Sequence, residues 1–152
     1  MPVTTAEARE EILTELGEAA DRIALGVSCL SEAFELLDDA TAERLEDELF
    51  RAVQKAYGRS KRTHSSFAER VQMPTRSFEP QPAGSVSQGP KPLIERAVEA
   101  TTEADRLLAE LQDSMLPIEA GDAELRAGLA EVRELVEPVP ATAREILRVL
   151  GR

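Results

Sequence analysis

His64 is the only histidine of the chain and Cys29 its only cysteine. Any acid–base or nucleophilic chemistry would therefore have to be built on one imidazole, one thiol and the hydroxyls and charges around them. Ser65 and Ser66 follow His64 directly, but adjacent residues on a helix diverge by about 100° and cannot form a triad by themselves. The sequence holds no glycine-rich phosphate loop, no nucleophile elbow and no Cys–His pair at a useful spacing. A lone cysteine excludes an intrachain disulfide and a Cys-based structural zinc site. Lying one position before Leu30, Cys29 reads as a small half-buried hydrophobe. These residues lead to the expectation of a non-catalytic protein with no metal and no cofactor.

The second feature with chemical content is a row of cations. Arg51, Lys55, Arg59 and Arg62 follow at spacings of four, four and three and so share one helix face. Residues 51–76 hold seven basic residues against Glu69 alone, a local charge of +6 in a chain of formal charge −11. Such a face suits an anion or an acidic partner. It also suits a structural role, because the first half of the preceding helix is rich in acids (Glu7, Glu10, Glu11, Glu15, Glu18 and Asp21). Opposite charges on neighbouring antiparallel helices fix their register, and this pairing is the expected one.

Within that row, Arg59-Ser60-Lys61-Arg62-Thr63-His64 separates an arginine from a histidine by four residues. The spacing resembles the Arg-x4-His signature of HEPN-type RNases, which are also helical bundles. The resemblance covers six residues and implies Arg59 as a phosphate contact and His64 as a proton-transfer group, in a composite site at a dimer interface. It supplies an alternative reading as a nuclease or toxin–antitoxin component. The ordinary reading makes His64 a seam residue hydrogen-bonded through one ring nitrogen. A third reading is a small-ligand-binding bundle whose cavity is lined by the polar middle of helix 2 and by Thr101.

These residues need elements to position them, and the apolar periodicity supplies helices. Ile12, Leu16, Ala19, Ile23, Gly26, Leu30, Ala33 and Leu37 alternate spacings of four and three, the seam of a long amphipathic helix. Leu13, Ala20, Val27 and Phe34 widen it into a core-facing surface. Gly17 and Gly26 each cost such a helix up to about 1 kcal/mol relative to Ala, which predicts that a neighbouring backbone comes close there. The first helix is expected to start at Thr4, with Glu7 completing a capping box, and to end near Leu37. The second is expected over 42–73 with Thr41 as its cap. Its seam is apolar at both ends and polar in the middle, at Gly58, Ser60, Thr63 and His64.

Residues 74–92 hold five of the nine prolines, together with Gly84 and Gly89, and read as a linker about twice the usual length within bundles. Fully extended it reaches roughly 60 Å at about 3.3 Å per residue, enough to cross a bundle or to exchange hairpins between subunits. A third helix is expected from Pro92 to Met115, ended by Pro117. A fourth, capped by Asp122, carries Leu125, Leu129, Val132, Val136, Val139, Ala143, Ile146 and Leu150 on one face. Pro138 and Pro140 predict a kink or brief break in it, and Gly151 its end.

The expected fold is a single all-α domain over 1–152, a four-helix bundle of two antiparallel hairpins (4–73 and 92–150) joined by the 74–92 linker. A ferritin-like topology fits that connection. Its di-iron site does not, because Glu-x-x-His is required on two helices, whereas Lys61 stands three residues before the sole histidine. Hydrophobic residues make up 42% and charged residues 31%, as in a folded helical protein with a charged exterior. The net charge argues against nonspecific binding to nucleic acid or anionic membrane. No apolar run approaches a membrane span, and the N-terminus lacks the apolar core of a signal peptide. The expectation is a cytoplasmic protein-interaction or scaffolding module, binding a protein partner or itself as a homodimer.

Overall fold

The computed structural model describes residues 4–84 and 89–150. They are all-helical, with no strand among the described residues. Helix α1 (Thr5–Glu35) starts where expected: the Thr4 hydroxyl accepts a 3.1 Å hydrogen bond from the Glu7 amide. The seam from Ile12 to Ala33 is buried and Leu37 is half-buried. Phe34 departs from expectation, standing 37% exposed near the helix end.

The next helical stretch begins earlier than the sequence suggested. Asp38, not Thr41, is the cap of α2 (Asp39–Leu45), its carboxylate accepting from the Thr41 amide at 2.8 Å. Asp takes this role well because its charge also faces the positive end of the helix dipole. The backbone continues through a π-helical segment (Glu46–Phe50) into α3 (Arg51–Arg70). The buried seam explains the π turn: Leu45, Leu49 and Val53 are spaced four and four. Eight residues of regular helix overshoot two turns by about 80°, and the wider turn absorbs the excess. With the phase reset there, Gly58 leaves the seam and becomes half-exposed, while Ser60, Thr63 and His64 are buried. Helix α3 stops at Arg70, three residues short of the expected end. Gln72 adopts a left-handed φ of 58°, and the Met73 amide bonds the Ala68 carbonyl at 2.8 Å, a hydrogen-bonded reversal that closes the helix.

In the second half, α4 (Pro90–Asp113) begins two residues before Pro92 and ends two before Met115. Pro90 takes the first helical turn, where a missing N–H is harmless. Met115, at φ 70°, turns the chain into the single turn α5 (Leu116–Glu119). Asp122 caps α6 (Ala123–Val136) as expected, accepting from the Leu125 amide at 2.8 Å. The two prolines produce the predicted brief break before α7 (Val139–Leu150), and Val132, Val136, Val139, Ala143 and Ile146 stay buried across it. Val86 and Gly151 lie outside the described residues.

Helix α1 packs most extensively on α4 and next on α3, α3 packs on α6, and α4 on α6 and α7. The core is aliphatic apart from Phe67. At Gly26 a Cβ would meet Thr101 Cγ2 at 3.0 Å and the Ala97 carbonyl at 3.7 Å, so backbone does come close there. At Gly17 the neighbour is instead a side chain, the Arg76 guanidinium.

Residues 73–84 form no helix or strand, and they lie against the helices. Met73 and Pro74 line one cleft together with Glu10 and Leu13 of α1. Arg76 binds Asp21 through two hydrogen bonds of 3.0 and 3.1 Å. The Ala83 carbonyl sits 4.0 Å from Cys29 Sγ and accepts from Arg96. From Leu13 to Cys29 α1 rises about 24 Å, within the roughly 33 Å that ten extended residues can reach. The strap thus follows α1 along much of its length.

Candidate functional site

The basic face of α3 is where the sequence placed it, but its partners are not. Arg59 Nε lies 2.6 Å from Glu131 of α6, and Arg59 also bonds Thr63 at 3.3 Å. Arg70 binds Asp122, the cap of α6, and Glu124 in its first turn. Of the expected pairing with the acids of α1, these contacts retain only Arg76–Asp21, made from the strap. The reason is rotational. The side of α3 turned toward α1 carries Val53 and His64, which a Cβ at Gly26 and at Gly17 would meet at 3.6 and 3.7 Å, so the arginines that flank it reach across to α6. Arg59 holds the Glu131 carboxyl below its ordinary range, with Lys55 and Arg62 adding to the effect. Arg51 is exposed and pairs at 3.5 Å with Asp47 on its own helical stretch. Lys55 and Arg62 are exposed and form no ion pair among the described residues.

His64 is 3% exposed, at the junction of α1, α3 and the strap. Phe78 meets it edge-on with ring centres 5.2 Å apart, and the Arg76 guanidinium lies 4.3 Å above the Phe78 ring. Nδ1 has no hydrogen-bond partner. The neighbouring hydroxyls do not supply one, because both donate to carbonyls of their own helix, Thr63 to Arg59 and Ser60 to Tyr57. Burial pushes the imidazole pKa down and the Arg76 charge adds to it; the Leu13 carbonyl and Asp21 pull weakly upward. The ring is therefore neutral at pH 7. A cleft of about 600 Å³ opens beside it, lined by Glu10, Leu13, Glu18 and Met73 among others.

Arg59 and His64 are not brought together. Five residues apart on a helix, they differ by about 140° in direction: Arg59 turns to α6 and His64 to α1 and the strap. Thr101 is buried and donates to the Ala97 carbonyl at 2.9 Å, packed against Gly26, so it fills the space it was expected to line. Cys29 is fully buried, and burial pushes its thiol pKa up, which leaves it protonated and unreactive.

The Arg76–Asp21 pair falls within the expected pairing of the basic stretch with the acids of α1; sequence reasoning missed Phe78, which packs on His64, and Glu131, which neutralises Arg59. The available signal was a lone aromatic beside an arginine in an otherwise proline-rich stretch. A comparison with known protein families, curated proteins and solved structures finds no significant match.

Proposed function

We propose that this chain is a non-catalytic, cytoplasmic interaction module, built as a four-helix bundle of two hairpins with the strap as its crossover connection, and working from the basic face of α3. The observation that carries the reading is that Lys55 and Arg62 stand exposed and form no ion pair among the described residues, in a chain of net charge −11. Arg51 lies beside them, 69% exposed at its side chain. Supporting it, the groups best suited to chemistry are committed to packing: Cys29 beneath the strap, His64 behind Phe78, and Arg59 against Glu131. The partner is a protein segment carrying carboxylates, attracted to a local positive patch on an otherwise acidic surface.

Titration with a fluorescent Glu/Leu peptide tests this. Its affinity should fall about tenfold when Lys55→Ala and Arg62→Ala are combined, with no change in melting temperature. Binding that is absent, or indifferent to the pair of substitutions, overturns the proposal.

A further inference from the structure

Gly58 sits on the outer side of α3, half-exposed, midway along a 20-residue helix. There it costs the helix stability relative to Ala, so its presence asks for a close neighbour. Gly26 has one inside the molecule. Gly58 does not: a Cβ there would meet only the mobile end of Arg62, at 3.3 Å. The space above it is open on the outside of the fold.

The residues around Gly58 are ordered by charge. Glu43, Asp47, Arg51, Lys55, Gly58 and Arg62 follow at spacings of four, four, four, three and four, and all but the half-exposed glycine are exposed. They form one strip about 28 Å long. Its first part is acidic: residues 39–48 hold five acids against Arg44, which itself binds Glu48 at 2.5 Å. Its second part is basic: residues 51–62 hold five bases and no acid. A strip that is acidic at one end and basic at the other is complementary to itself when turned end for end.

We propose that the occupant of this face is a second copy of the chain, docked antiparallel along the 39–70 stretch about a twofold axis near residues 52 and 53. In that register Glu43 faces Arg62 of the second copy and Asp47 passes over its Gly58, where the missing side chain lets the helices approach. Each contact occurs twice, as an isologous interface requires. The inference rests on the reading of α3 as an interaction face and names its partner. Exposed ion pairs contribute little each, so the dimer is weak and strongly salt-dependent.

Sedimentation equilibrium of the full chain at roughly 0.1 mM, compared at about 20 mM and about 500 mM salt, reads it directly. The expected result is association above the 16.6 kDa monomer mass at low salt that is lost at high salt. Glu43→Arg and Arg62→Glu should each weaken association by about tenfold, and the two reversals together in one chain should restore it. Gly58→Leu should abolish association while raising the melting temperature, since a better helix former replaces glycine; that rise separates a blocked interface from a damaged fold. A monomer at low salt, a dimer indifferent to the reversals, or a dimer that survives Gly58→Leu overturns the inference. A monomer that still binds the Glu/Leu peptide through Lys55 and Arg62 overturns this inference alone and leaves the proposed function standing.

Discussion

Protonating His64 would place a cation beside the Arg76 guanidinium in a largely buried site packed edge-on by Phe78. The folded-state pKa lies below the ordinary 6.5, so between those two values the unfolded chain binds more protons than the folded one. Stability from this group is complete above about pH 6.5 and declines as pH falls toward the lower folded value, below which it changes no further. Chemical denaturation between pH 7.5 and 5 should show that decline, and His64→Phe should flatten it; an unchanged slope would mean that other groups govern the acid limb. His64→Ala should cost about 1–3 kcal/mol through lost packing around a buried side chain, measured by urea titration. Gly128→Ala should also destabilise, by about 1–3 kcal/mol, since a Cβ there would fall 2.6 Å from Thr63 Cγ2. At this scale the sequence identified His64 and the cationic row. It could not show which way each turned, because direction on a helix matters only relative to a neighbour, and the neighbours come from distant parts of the chain.

Among the elements, residues 73–84 depart most from what composition suggested. Proline, glycine and serine predict a segment with little to bury, and a protease would be expected to cut there first. In the structure, Arg76 is fastened to Asp21, Phe78 closes on His64, and Ala83 is buried against Cys29 and Arg96. Cleavage by trypsin after Arg76 should therefore be slow in the folded protein and several-fold faster in Asp21→Ala, followed by mass spectrometry of a timed digest. Equal rates would show that the ion pair does not hold the strap. The proline content contributes to this behaviour: a chain already restricted to extended conformations loses less entropy on docking. The π turn follows a different logic. The double spacing of four among Leu45, Leu49 and Val53 was present in the sequence, and its effect on every later residue of the helix became visible only once α3 was packed on two sides.

Across the whole molecule, the largest contact of α1 is with α4, in the other half of the chain. The two halves of the chain therefore bury much of their apolar seams against each other. Residues 4–73 and 92–150, made as separate peptides, should each be poorly helical by circular dichroism and gain helicity when mixed, and the intact chain should melt in one transition. Two independent transitions would show each hairpin to be self-sufficient. What the sequence determined by itself is local. The 3.6-residue period set the helices, Thr4 and Asp122 set two of their starts, Pro138 and Pro140 set the break in the last, and the scarcity of aromatics, four Phe and one Tyr with no Trp, made the core largely aliphatic. These features depend on residues within a few turns of one another. What only the tertiary structure decided is pairing: Arg59 with Glu131 and not with α1, Arg76 with Asp21, Phe78 over His64, and Gly58 left open. Each joins residues from different elements whose relative rotation is fixed by packing the whole core, and no spacing along the chain encodes that rotation.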